Sequence, residues 1–264
     1  MIASIKNGID TVSGSLLRKI GYYLKNINNK NIILGNLYNT GLKYINAYMC
    51  KGSVKCNICN WEGYKFFAMI GHYSIRYNAV CPRCFSKERH RRLAFYLEQY
   101  NYVERHTRCL DIGPAEGFRN YMESKGYVYF SIDIASAHAM AKMDVTELGI
   151  RSDAFELVIC YHVLEHVEND VRALREIHRV LKSGGKCFIQ VPLKEGAAHT
   201  IEYEQPDIKD CGHVRQYGRD IIPKINNEGF EVHEMHFTIS DTHQIKEYAL
   251  GGMSEYFFVC QKNL

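Results

Sequence analysis

Apolar residues recur every three or four positions near the N-terminus, at Ile2, Ile5, Ile9, Val12, Leu16, Ile20 and Leu24. That is the spacing of one helix face. Asn-rich punctuation follows from Asn26 to Asn31, then a less regular tract with Tyr38, Tyr44 and Tyr48. A further helix is expected from Ser86 to Tyr100, with Ser86 as its cap. From residue 108 the period changes. Short apolar runs at 108–112, 128–133, 156–160, 186–191, 230–238 and 255–261 read as strands, and 117–125, 168–182 and 217–228 as helices. Gly184 and Gly185, just past Lys182, look like the stop of the second of these helices. Alternation of this kind predicts an α/β fold with a mostly parallel sheet covered on both faces. The last two strands have no expected helix between them and should pair as an antiparallel hairpin at one edge.

The 264 residues allow one large α/β domain and a small appendage. The expected division is a basic amphipathic arm (1–49), a small cysteine module (50–92), a connecting helix (93–107) and the α/β domain (108–264). The net charge is +4, yet the first 50 residues alone carry +5. The body is therefore near neutral, which speaks against a phosphate-gripping surface. A basic arm can lie on an anionic membrane face, but docking on its own protein or on a partner is preferred because Ser, Gly and Asn dilute both faces. No apolar run approaches the ~20 residues of a bilayer span. The early apolar stretches are broken by Lys6, Asp10, Arg18 and Lys19, unlike a secretory signal. Ten cysteines, most of them single in apolar strands, fit a reducing compartment. A cytoplasmic protein is expected, with contact at the inner membrane face left open.

Four cysteines are arranged differently. Cys56 and Cys59, then Cys81 and Cys84, form two Cys-x-x-Cys knuckles 21 residues apart. Two such turns can close four thiolates around Zn²⁺, and Trp61, Tyr64, Phe66 and Phe67 would supply a small core. A redox dithiol is the lesser reading, because redox motifs use a single pair within a βαβ unit. Next comes a basic cluster, Arg89, His90, Arg91 and Arg92. It suits either a solvated helix face or nucleic-acid phosphates, and the solvated face is preferred.

The stretch from Arg108 to Gly117 is a short strand carrying Asp111, then a turn with Gly113 and Gly117, then a helix. Such a turn lets backbone approach a ligand at a helix N-terminus. Asp133 ends the next strand, 20 residues past Gly113, where an acid can bind ribose hydroxyls. Asp144 follows at a further strand end. The strand from Phe155 leads into Tyr161, His162, Glu165 and His166. Carboxyl ends of neighbouring strands face one crevice in this architecture, so a nucleoside ligand is expected.

These residues resemble class I S-adenosylmethionine-dependent methyltransferases of the type 11 kind. Leu110–Gly117 is similar to their first motif, Ser131–Asp133 to their second, Asp144-Val145 to their adenine position, and Phe155–Val167 with Leu174–Gly185 to the segment that follows. The resemblance covers about 155 residues, to the C-terminus. It implies a Rossmann-like, seven-stranded sheet with S-adenosylmethionine as cofactor. Asp133 and Ile134 would meet the ribose end, and Asp144 and Val145 the adenine. Gly113, Ala115 and Gly117 would pass the methionine moiety, with Asp111 fixing the turn and Tyr161 beside the sulfonium. Ala115 stands where that family has glycine, and Pro114 withholds one backbone N–H. The knuckles, together with residues 88–92 and 213–218, resemble a bacterial subgroup found with surface-polysaccharide enzymes.

Methyl transfer to a hydroxyl needs alignment and a base. His162, Glu165 and His213 are the catalytic candidates, His162 first; His166, His199 and Arg215 lie in the same two segments. Three functions remain open: O-methylation of a sugar, glycan or other small polar acceptor; a zinc-bearing RNA methyltransferase; and a binding module whose cofactor site has decayed.

Overall fold

The computed structural model describes residues 30–48, 52–71, 75–99, 102, 106–207, 211–236, 242–251 and 256–263. The helix expected over Ile2–Leu24 lies outside them.

The tract with Tyr38, Tyr44 and Tyr48, expected to be less regular than the stretch before it within a helical arm, is a helix, α1 (Lys30–Tyr48). Its register is fixed by two amide side chains. Asn39 Nδ2 donates to the Ala68 carbonyl (3.0 Å) and its Oδ1 accepts from Ala68 N–H (2.7 Å). Asn46 Oδ1 likewise accepts from Tyr64 N–H at 2.8 Å. These two Asn side chains bind the backbone of a neighbouring ribbon.

The cysteine module is two small antiparallel pairs. β1 (Val54–Lys55) pairs with β2 (Glu62–Gly63), and β3 (Phe67–Ile70) with β4 (Ile75–Val80). Helix α2 (Glu88–Gln99) follows. Its basic face is not solvated as expected. Glu88, Arg91 and Arg92 are buried.

The main sheet is built from β5 (Arg108–Ile112), β6 (Val128–Asp133), β7 (Ala141–Lys142), β8 (Phe155–Tyr161), β9 (Leu181–Gln190), β12 (Phe230–His236) and β13 (Tyr256–Lys262). The intervening elements are α3 (Phe118–Ser124), α4 (Asp170–Val180), the hairpin of β10 (Ile201–Asp207) and β11 (His213–Gln216), α5 (Ile221–Asn227) and α6 (Thr242–Glu247). Among the described residues the sheet has seven strands in the order β12-β13-β9-β8-β5-β6-β7. Strands β5 to β9 are parallel, while β13 runs antiparallel to both β9 and β12. The expected antiparallel pairing of the last two strands is present, with two differences. Helix α6 lies between them, and the last strand inserts beside β9, leaving β12 at the edge. Helix α4 ends at Val180, before Gly184 and Gly185. Leu181 is already extended at φ −78, ψ 136, and Gly184 sits at φ 73 within β9.

Strand alternation sends successive side chains to opposite faces. Leu110, Ile112, Val158, Cys160, Cys187 and Ile189 face one core with Leu174 and Ile177 of α4 and Ile221 of α5. Cys109, Leu157, Ile159, Tyr161 and Phe188 face another, which α2, α3 and the four knuckle cysteines complete.

Candidate active site

The glycine turn is where the cysteine module meets the sheet. Gly117 adopts φ 78 at the N-cap of α3. A Cβ there would fall 2.7 Å from Cys84 Cβ and 2.8 Å from the Cys84 carbonyl oxygen. The second knuckle is therefore pressed against the turn, and only glycine fits both the dihedral and the space. Gly113, at φ 72, has the same double constraint, since a Cβ would meet Val163 Cγ2 at 2.8 Å and come 4.0 Å from Asp133 Oδ2. Ala115 packs against the aromatic core, and its carbonyl accepts from Phe118 N–H at 3.2 Å.

The acids at the neighbouring strand tips share this edge. Gly113 N–H donates to the Ile132 carbonyl (2.9 Å), and Met143 N–H to the Asp133 carbonyl (3.3 Å). Asp133 Oδ1 accepts from Ala135 and Ser136 N–H, each at 2.6 Å, which leaves Oδ2 turned toward Gly113. Asp144 Oδ1 accepts from Thr146 N–H and hydroxyl, both at 2.8 Å. Each carboxylate is thus held by a short turn with one oxygen bonded and the other spare. Ile134 is exposed, whereas Val145 is buried in the aliphatic core. Asp111 is placed differently from the turn-fixing role. It is buried within β5, accepts the Tyr129 hydroxyl at Oδ2 (2.6 Å), and burial pushes its carboxyl up to about 7.

The four knuckle thiols converge. Cys56 and Cys84 Sγ are 3.7 Å apart, and Cys59 and Cys81 Sγ 3.6 Å. Zn–S bonds of about 2.3 Å in a tetrahedron require S···S near ~3.8 Å, so the donor set fits a structural zinc. Hydrogen bonds from Cys59, Cys81 and Cys84 hold the Cys56 thiol far below its usual range. Ser86, expected to cap α2, instead accepts from the Cys84 thiol at its Oγ (3.1 Å).

Arg91 was missed by sequence reasoning as a structural group. It is fully buried, donating from Nε to the Tyr248 carbonyl (2.9 Å) and from its terminal nitrogens to Ser86 (2.9 Å) and Ala249 (3.2 Å). Its guanidinium lies 4.1 Å from the Phe66 ring centroid. One side chain thereby ties the knuckle to the segment leading into β13. The signal in the sequence was its position three residues before Ala94, on the apolar face of α2.

At the tip of β8, Tyr161 is buried, and just beyond it His162 takes φ 55, a strained conformation for a non-glycine residue. His162 Nδ1 lies 3.2 Å from Glu165 Oε1, and its N–H donates to the Gln190 carbonyl at 2.8 Å. His213 arrives from β11, with its ring 4.7 Å from that of His166, edge to face. The clamp is Arg215, which donates to the carbonyls of Leu164 (3.0 Å), Val167 and Glu168 (2.7 Å). Tyr217 assists by donating to Asp170 Oδ2 at 2.7 Å. His199 is exposed and stands beside Asp220. A small cavity against Tyr161 is lined by Arg89, Arg92, Tyr96, Gln190 and Phe257. Sequence reasoning did not place α2 at this site, because only the packed sheet brings it there.

A seven-stranded sheet in this order, with a glycine turn and acids at its tips, defines a Rossmann-like fold of the methyltransferase kind. The sequence model described as a methyltransferase domain matches residues 83–235, and the chain belongs to that family. The [4+2]-cyclase SpnF is similar in structure, with a TM-score of 0.50 and 16% identity over 66% of this chain and 81% of its own. A didemethyltoxoflavin N1-methyltransferase from Burkholderia thailandensis gives a TM-score of 0.48 and 14% identity over 66% and 78%. An uncharacterised protein of Methanocaldococcus jannaschii, MJ0638, is 42% identical over 52 residues, 20% of this chain and 23% of its own length.

Proposed function

We propose that this chain is an S-adenosylmethionine-dependent O-methyltransferase acting on a sugar, glycan or other small polar acceptor. The observation that carries the reading is the common edge of Gly113, Asp133 and Asp144, with the Tyr161–Glu165 segment at its other end. When bound, S-adenosylmethionine supplies an activated methyl on a sulfonium. The chain's own residues do the rest. Asp133 Oδ2 would accept from the ribose hydroxyls, the exposed face of Ile134 would flank the sugar or base, and Asp144 would take the adenine amino group. Gly113 and Gly117 would let backbone approach the methionine moiety. Tyr161 would line the sulfonium, and His162, oriented by Glu165, would take the acceptor proton as general base. Zn²⁺ on Cys56, Cys59, Cys81 and Cys84 would have a structural role, holding the knuckle against Gly117.

The RNA reading has one cation fewer to call on, because the guanidinium of Arg91 is spent on three backbone carbonyls. A fold shared with a cyclase does not fix the reaction, so the test must measure binding and transfer separately. Titrating S-adenosylmethionine by calorimetry should give a clear heat, and Asp133→Ala should weaken binding by about 2 kcal/mol. Absence of heat and of any thermal shift in the wild type would sink the reading. A transfer screen over sugars, glycans and RNA then ranks the acceptors.

A further inference from the structure

Glu165 is an outlier among the buried polar groups. Its side chain is 1% exposed, and its nearest side-chain donor is His162 Nδ1, 3.2 Å from Oε1 and outside hydrogen-bond geometry. An ionised carboxylate stripped of water in this way costs several kcal/mol unless a cation compensates it. The chain surrounds it with donors of the right kind. Ligand atoms of Glu165, His166 and His213 all lie within 4.8 Å of one another, one of two such groups among the described residues, the other being the four knuckle thiols. The Arg215 clamp holds the β11 backbone to the turn that carries Glu165 and His166, so the cluster spans two elements fixed to each other. Arg89 and His162 also face Glu165, His162 through a ring nitrogen 3.2 Å from Oε1.

We propose that Glu165, His166 and His213 bind a divalent first-row transition ion such as Zn²⁺, separate from the knuckle thiols. Two imidazole nitrogens and one carboxylate oxygen form a borderline donor set that suits such ions. Three protein ligands leave positions open, as in sites where an ion meets a ligand and not only a scaffold. His166 is the exposed member, so the open side faces solvent beside His162. There the ion would gather an oxygen-bearing acceptor next to the base. That use rests on the methyl-transfer reading above; the binding of the ion rests on this geometry alone.

The test is metal loading of the full chain, stripped with chelator and titrated with Co²⁺. Two ions per chain are expected, one with intense thiolate-to-metal absorption and one showing only weak ligand-field bands. His166→Ala, at an exposed position, should weaken the second ion by roughly tenfold or more while sparing the thiolate band and the melting temperature. Glu165→Gln should do the same. Uptake of only one ion by the wild type overturns the site, as does a second ion whose affinity neither variant changes. Calorimetry with S-adenosylmethionine on the same wild-type sample separates the two ideas, since failure there removes the methyltransferase reading and leaves the ion count standing.

Discussion

The two faces of the sheet are built from different chemistry. On one, aliphatic residues of β5, β8 and β9 meet α4 and α5 in a core such as Leu174, Ile177, Val180 and Ile225 provide. On the other, Phe66, Tyr96, Phe118, Tyr121, Tyr129 and Phe188 pack together with four thiols and a buried arginine. The first face is held mainly by apolar packing, with Tyr217 and Asp170 as its buried polar pair. The second depends on groups that need partners: thiolates a metal, Arg91 its carbonyls, Asp111 a hydroxyl. A core of that kind is costly when one partner is removed, and here it touches the glycine turn. The difference suggests that the aromatic face couples metal, stability and cofactor site, whereas the aliphatic face supports the fold without them.

The sharpest way to break that contrast is to remove the zinc proposed for the knuckle. Cys81→Ser should remove that zinc, read as loss of the thiolate-bound ion, and lower the melting temperature strongly, since structural zinc sites contribute on the order of 10 kcal/mol. S-adenosylmethionine affinity should fall with it, because Cys84 presses on Gly117. Retained affinity in a metal-free protein would uncouple the two. Next, Arg91→Ala leaves three buried carbonyls without a donor and should cost about 4 kcal/mol in urea denaturation. Arg91→Lys should rescue it only in part, lacking the planar fork. The matched control on the aliphatic face is Leu174→Ala. It should cost about 3 kcal/mol yet leave zinc content at its wild-type value.

The smallest expected effect is a pH slope. Burial raises the Asp111 carboxyl to about 7, against about 3.9 in an unfolded chain. The fold thus favours the neutral acid. Its stabilising contribution is whole below about pH 4 and is lost as pH rises through 7. Asp111→Asn keeps an acceptor for the Tyr129 hydroxyl and should be relatively more stable than wild type at pH 8, by at most a few kcal/mol. A mutant-minus-wild-type difference that stays flat from pH 4 to 8 would mean the carboxylate is compensated after all.

Much of the sheet was legible because strand and helix periods are local. The runs beginning at Cys109, Val128 and Phe155 lie where apolar alternation places them. The helix from Lys30 to Tyr48 was not legible, because its apolar residues Ile33, Leu34, Leu37 and Tyr44 remain exposed and its register comes from Asn39 and Asn46 reaching another element. The buried arginine was illegible for a related reason. Charge in a sequence predicts solvent, and only a set of distant carbonyls can overturn that.

The sequence by itself determined the spacing of the four knuckle cysteines, the glycines of the turn and the acids that end their strands, since short-range geometry dictates each of these. Only the tertiary structure decided that Cys84 abuts Gly117, that Arg91 joins Ser86 to Tyr248 and Ala249, and that His213 stands beside His166. Those pairs are far apart along the chain, and what brings them together is the order of the strands and the burial of one face against another.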